Sequence, residues 1–376
     1  MPKLIIYTIY KKIRKNRLAA TITNILYTRI RPFFTRWDEL PRISSVSRKF
    51  PVTAFICDDM TWHCFKSQCP SFYITPQNWQ KSLEKYRPHV LFCESAWSGI
   101  SDYKNSWRGQ LYKNVRLLYN NRQKLWQILD YCMENGVKTV FWNKEDPFYF
   151  EDEYYNFTDT AHRFDHVLTT SAECIPKYHA LGVKSVNLWT FGFSPQIFYP
   201  PQDESARKNV AIFAGSWFND YTERCRDMER VFEMVLEHKL ELRIYDRMMH
   251  TGSVSNKFPS KYEKYIRPPV TYEELAEIYR QAKYVININT VKDSRTMFAR
   301  RVFEAMACRC IVISNHSDGL KSMFGDRVWF LDEHFNHNLS KDIIQTNVEY
   351  VFANHTCNER WRQLEAILEK EKRGPA

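Results

Sequence analysis

Residues 284–315 read YVININTVKDSRTMFARRVFEAMACRCIVISN, and this stretch decides the fold. An apolar run, YVINI at 284–288, ends in Asn-Thr. A polar loop follows, then a short helical stretch, RRVFEAMA at 300–307, and a second apolar run, CIVIS at 310–314. Neither run alternates apolar with polar residues, so both faces of each strand are buried. Short apolar strands joined by helices are the pattern of a parallel sheet covered on both sides.

The same alternation extends in both directions. Upstream lie LELRIY at 240–245 and VAIFA at 210–214, the latter running into Gly215-Ser216 and a helix near Tyr221. Residues 271–283 read as a helix that Thr271 caps, with Glu274 three residues on to complete a capping box. A helical tail from Asn347 carries Trp361 and Leu364. Residues 193–208, with Pro195, Pro200 and Pro201, read as a linker. Before it, VTAFIC at 52–57, HVLFC at 89–93, KTVFW at 138–142, 164–169 and 185–189 predict five strands, with helices over 78–86 and 113–135. The expected fold is α/β: two doubly wound, Rossmann-like domains of about 150 residues each, facing a central cleft. The expected boundaries are 1–48 for an N-terminal segment, 49–192, a linker at 193–208, 209–345, and a C-terminal helix at 346–376.

The chain has 376 residues and a net charge of +11. Residues 1–37 hold nine Lys and Arg and no acid before Asp38, so the rest of the chain is nearly neutral. In that segment Leu4, Ile5, Ile6, Ile9 and Ile13, then Leu18, Ile22, Ile25 and Leu26, recur at helical spacing among basic residues. Such a basic amphipathic pattern fits packing on the first domain, or lying on an anionic membrane surface. It contains no recognised nucleic-acid module, and no nucleic-acid partner is expected. The ten cysteines form no C-x-x-C, which suits buried thiols better than a zinc site or a disulfide framework. No apolar run reaches membrane-spanning length and no signal peptide is read, so a cytoplasmic protein is expected, peripheral to the inner face of the membrane where it meets one.

In doubly wound sheets ligands bind beyond the C-terminal ends of the strands. There the first domain places Asp58, Asp59, Glu94, Trp97, Lys144, Glu145 and Asp146. A carboxylate at such a place can take the proton of an acceptor hydroxyl, and can equally cap a helix or turn. The second domain places Gly215, Ser216, Asp246, Arg247, Asn289 and Asn315 there. A small residue between strand and helix lets a phosphate approach backbone N–H groups, and Arg224 and Arg226 lie close enough in sequence to meet a diphosphate. Glu304, inside an apolar helix, must be paired or face a cleft. Its two oxygens suit the hydroxyls of a ribose, and also an ion pair with Arg300 or Arg301.

RRVFEAMAC at 300–308, with SRTMFA before it, resembles the donor-site segment of GT-B-fold glycosyltransferases, and most of all the spore maturation protein CgeB-like family. ITPQNWQ at 74–80, RPHVLFCESAWSG at 87–99, SWRGQL at 106–111, VFWNKEDP at 140–147 and FDHVLTTSAECIPKY at 164–178 agree with that family in order. The resemblance implies a glycosyltransferase for surface or spore polysaccharide. Its donor would be a nucleotide-diphosphate sugar, its acceptor a carbohydrate or glycoconjugate, with no metal and no cofactor. It implies that Glu304 holds the donor ribose and that Arg224 and Arg301 are candidates for the diphosphate, with Gly215, Ser216 and Asn289 on the donor side. If the reaction inverts, Asp59 and Glu94 are the leading base candidates, with Trp97, Lys144 and Glu145 on the acceptor side. The wider families often carry a second acid where Thr296 stands, and a Gly where Arg309 stands. A non-catalytic nucleotide- or carbohydrate-binding protein of the same fold is the alternative, and it predicts binding without transfer.

Overall fold

Every apolar run named above becomes a strand, and in both halves all strand pairs are parallel. The computed structural model describes residues 16–44, 50–250, 256–331, 333 and 341–372. Leu4, Ile5, Ile6, Ile9 and Ile13 lie outside the described residues. The chain divides into two compact units, Met1–Thr190 and Phe191–Ala376.

The first unit contains β1 (Thr53–Ile56), β2 (Ser71–Tyr73), β3 (Val90–Glu94), β4 (Lys138–Asn143), β5 (His166–Thr169) and β6 (Val186–Leu188). Their order in the sheet is β2-β1-β3-β4-β5-β6. The chain therefore goes outward from β1 to β2 on one side and returns to β3 on the other, which makes the β1/β3 boundary a topological switch point. β1 and β3 are buried along their whole lengths, and β3 ends in a fully buried acid, Glu94.

The second unit contains β7 (Lys208–Gly215), β8 (Glu241–Asp246), β9 (Ile266–Arg267), β10 (Ala282–Asn287), β11 (Ile311–Ser314) and β12 (Trp329–Phe330), in the order β12-β11-β10-β7-β8-β9. Here the switch point lies between β7 and β10. Two apolar clusters cover the two faces of this sheet. One gathers Ile212, Val285 and Val312 with helix Arg301–Ala307; the other gathers Phe213, Ile244 and Ile286 with helix Thr222–Glu237. Fully burying one such side chain stabilises the fold by roughly 1.5–3 kcal/mol. Thr271 caps helix Tyr272–Gln281 with the expected capping box: its hydroxyl accepts from the N–H of Glu274 (3.2 Å), and its own N–H donates to the Glu274 carboxylate (2.7 Å).

Several expectations shift. The helix read over 113–135 starts only at Gln123. Asparagines hold the preceding residues in turns: Asn114 Oδ1 accepts from the N–H of Arg116, Asn120 Oδ1 from that of Arg122, and Asn121 donates to the carbonyls of Gly109 and Tyr112. Such side-chain bonds compete with helix formation. The C-terminal tail is two helices, Lys341–Asn354 and Cys357–Lys372. They part where the backbone of Phe193 bonds His355 (3.0 Å) and Cys357 (2.8 Å), which ties the segment read as a linker to the second unit. Residues 37–44 are tied to the first sheet. Trp37 is buried, Tyr86 donates to the carbonyl of Pro41 (2.6 Å), and Ser44 N–H donates to that of Ser71 (2.8 Å). All ten cysteines are buried and none forms a disulfide.

Candidate functional site

In the second unit the switch point is occupied by a guanidinium. Arg301, first residue of its helix, donates to the carbonyl of Ala214 near the end of β7 and to that of Ile286 near the end of β10 (3.4 Å). It thus straddles the crevice between the two strands. Its guanidinium also lies 5.2 Å from the centre of the Phe213 ring. That ring sits against Gly215, where a Cβ would come within 2.6 Å of it. Glycine at 215 is therefore a space requirement.

Two more arginines gather here. Arg224, in the first turn of helix Thr222–Glu237, donates to the carbonyl of Ser216 (3.0 Å), and the N–H of Arg247 donates to the carbonyl of Gly215 (3.1 Å). Burial, then the charges of Arg301 and Arg247, hold Arg224 down to about 10. Arg247 keeps much of its surface in solvent, yet crowding of its guanidinium and the charge of Arg301 lower its pKa as well. Among the described residues neither Arg224 nor Arg301 forms an ion pair. Three cations that raise one another's energy at a strand-end crevice, offset only in part by Asp246 beside Arg247 and by Glu304 near Arg301, suit a bound anion. Arg226 is solvent-facing.

Glu304 stands one turn along from Arg301 and is buried. It accepts a hydrogen bond from the Tyr272 hydroxyl (2.5 Å) and lies 3.8 Å from Arg300, so its ion-pair partner is Arg300. Burial raises its pKa, against the pull of Arg300 and Tyr272. Asn289 is fixed in a buried network: its N–H donates to Asn315 (2.7 Å) and its amide to Ser314 (3.1 Å). Ser216 is buried. Arg309 lies elsewhere. It holds a left-handed conformation (φ 61°) just past its helix, and its side chain pairs with Glu204 (2.5 Å). Its carbonyl accepts from Arg207, which precedes β7. This is the N-terminal end of the strands, opposite to the arginine crevice.

In the first unit the β1/β3 switch point holds a buried charge cluster. Lys144 Nζ bridges Glu94 (3.1 Å) and Asp58 (3.2 Å). Asp58 also accepts from the backbone N–H groups of Trp97 (2.9 Å), Ser98 (2.9 Å) and Gly99 (2.8 Å). Gly99 makes this turn at φ 112°, where a side chain is strained. Burial alone would raise the Asp58 pKa, but Lys144 and the three N–H donors outweigh it and lower it. Glu94 accepts from the N–H of Asp58 (2.6 Å), from Lys144 and from the Thr61 hydroxyl, so it is fully committed as well as fully buried. Asp59 is likewise engaged: its oxygens accept from the N–H and hydroxyl of Ser101, both at 2.6 Å.

Glu145 differs. It is half-buried, and one oxygen accepts from the Trp97 indole (2.8 Å). Burial, then the charges of Asp58 and Glu94, raise its pKa, against Lys144 and the indole bond. Lys144 is one cation among three carboxyls. It stays charged, its pKa raised by Glu94, Asp58 and Glu145 despite burial. The remaining excess of negative charge, with burial, raises the proton affinity of Glu145 and of Glu94. The Trp97 ring packs among Phe157 (5.2 Å between centroids), Tyr155 (5.3 Å), Tyr149 (5.4 Å) and Tyr112 (5.7 Å). This acid is thus set in an aromatic wall.

The structure thus gathers Arg224, Arg301, Gly215 and Ser216 at one crevice, and Glu94, Lys144, Glu145 and Trp97 at another. Two residues at these places had no assigned role. Asp58 is the hub of the first cluster, and Arg247 is the third arginine of the second. Their position after a strand was the available signal.

The two Rossmann-like sheets are those of the GT-B glycosyltransferase fold. Residues 229–366 match the model of the family described as glycosyl transferase-like. The HepE protein of Anabaena, solved with UDP and glucose, superposes with a TM-score of 0.53 at 9% identity, over 85% of this chain and 100% of that one. An α-glucosyltransferase in complex with UDP-glucose and DNA containing an abasic site gives 0.51 at 9% identity, over 85% and 99% of the two chains. Sucrose-phosphate synthase from Thermosynechococcus elongatus gives 0.51 at 14% identity, over 80% and 78%. No curated protein matches the sequence.

Proposed function

We propose that the chain is a glycosyltransferase that moves a sugar from a nucleotide-diphosphate sugar to a hydroxyl acceptor. The observation that carries this reading is Arg301 across the β7/β10 switch point, with Arg224 and Arg247 beside it. As the anomeric carbon–oxygen bond breaks, the nucleoside diphosphate leaves with the electron pair and gains negative charge. The Arg301 and Arg224 guanidinium groups, already held by backbone carbonyls at that place, stabilise the developing charge without reorganising. This reading assigns no metal ion, because the arginines supply the positive charge.

Glu304 is assigned to the donor ribose. Ribose hydroxyls are donors of the same kind as the Tyr272 hydroxyl that this carboxylate already accepts. In the first unit the acceptor's proton passes to Glu145 as the hydroxyl oxygen bonds to the anomeric carbon. Glu145 is half-buried and its pKa is raised, which suits a general base better than the saturated Glu94 or Asp59. The aromatic wall around Trp97 suits the apolar face of a sugar. UDP-glucose in the similar α-glucosyltransferase structure, and UDP with glucose in that of HepE, support a hexose donor. The resemblance to the CgeB-like family supports a surface polysaccharide or glycoconjugate acceptor. A nucleotide-sugar donor suits the cytoplasm.

Titration calorimetry with UDP, GDP and dTDP and their sugars tests the donor site. The expected result is binding of at least one. Arg224→Ala and Arg247→Ala should each weaken it roughly 10- to 100-fold, the worth of a charged hydrogen bond. Binding of none, or unchanged affinity in both variants, removes the arginine crevice from its role.

A further inference from the structure

The N-terminal helix is docked the wrong way round for a soluble surface helix. Arg17–Ile25 continues through a π turn, Leu26–Ile30, and a 3-10 turn, Arg31–Phe34. Its polar side faces the protein. Thr21 is 7% exposed and accepts from the N–H of Leu118 (3.1 Å), while Asn24 accepts from the Tyr119 hydroxyl (2.5 Å). Its apolar side faces out. Leu18, Ile22, Leu26, Ile30 and Phe34 are all exposed, Leu18 by 59% and Phe34 by 84%.

A four-residue spacing drifts round a helix of 3.6 residues per turn. The wider π turn draws Ile30 back toward the line of the first three. The loop against which the helix docks adds exposed Val115 and Leu118. Charge around this apolar stripe is mainly basic. Residues 16–37 contain Arg17, Arg29, Arg31 and Arg36 and no acid; Asp38 and Glu39 follow, with Glu39 3.7 Å from Arg36. In the docking loop Lys113 pairs with Asp159 (3.3 Å), Arg116 lies over the Tyr154 ring, and Arg122 is buried against Asp159 (2.6 Å).

We propose that this face is a docking surface for an anionic lipid bilayer, with the apolar stripe in the interfacial layer and the arginines at the headgroups. An amphipathic helix with basic flanks binds a membrane in this way, lying in the interface plane. A second copy of the chain fits less well, because a two-fold contact brings the same arginines against each other. A nucleic-acid backbone would satisfy the arginines and leave the stripe in water.

The test is co-sedimentation of the full chain with phosphatidylcholine vesicles, with and without phosphatidylglycerol. The wild type should bind the anionic vesicles at least about tenfold more tightly, and Ile22→Asp/Phe34→Asp should lose about tenfold or more of that binding. Arg17→Gln/Arg36→Gln should lose about fivefold per arginine. All four positions are exposed, and Phe34→Asp alone serves as a second variant if circular dichroism shows the double variant altered. Absence of binding to anionic vesicles, or equal binding by wild type and both apolar variants, overturns the proposal. So does a wild-type dimer in sedimentation equilibrium that Ile22→Asp/Phe34→Asp splits without any change in vesicle binding.

Discussion

Asp146 shows how one buried carboxyl makes the fold sensitive to pH. It accepts from Asn143 (2.7 Å), the Thr169 hydroxyl (2.6 Å) and the Tyr178 hydroxyl (3.0 Å). Burial pushes it up to about 7, and the bonds from Thr169 and Tyr178 offset that only in part. The folded chain therefore holds this proton more tightly than the unfolded chain. Its stabilisation is complete below the ordinary value near 3.8 and is lost as the pH rises through about 7. Asp146→Asn keeps the shape and removes the titration. Its melting temperature should fall less than that of the wild type between about pH 4 and about pH 7; parallel profiles would assign the pH dependence to other groups. The sequence marked Asp146 as a strand-end acid. What it could not show is that Thr169 and Tyr178 converge on it from β5 and from helix Cys174–Ala180.

At the scale of an element, Arg309 separates two readings of the helix end after Arg301–Ala307. In sequence it stands where a Gly is common, next to the donor-site segment. In the structure it is the left-handed residue that ends the helix, which explains the preference for Gly, and it points to the end of the sheet away from the arginine crevice. Arg309→Gly should therefore leave nucleotide affinity unchanged in calorimetry. Relief of the left-handed strain and loss of the Glu204 pair oppose each other, so stability in urea should change by less than about 1 kcal/mol. A fall in nucleotide affinity would put Arg309 back at the donor site. Long periodic elements such as Tyr272–Gln281 were legible to within a residue or two. The edge strands β2, β9 and β12 are only two or three residues long and carry no period that a sequence can reveal.

At the scale of the whole molecule, each unit has its own sheet, and the second has apolar clusters on both faces. Two transitions are expected in scanning calorimetry. A nucleoside diphosphate at a hundredfold its Kd should raise one of them, by the equivalent of about 2.7 kcal/mol; equal shifts of both would show that the units do not unfold independently. Among the described residues no helix is long and apolar enough to cross a membrane. The α/β class, the doubly wound pattern and the strand ends at which chemistry gathers could be read from the residues alone. Strand burial and chain reversal leave local, periodic marks. Which of the strand-end residues meet became visible in the folded chain. It placed Arg247 with Arg224 and Arg301, made Asp58 the hub of the acid cluster, and turned the N-terminal helix's polar side inward. These depend on strand order and on which face a helix presents, and residues distant in the chain set both.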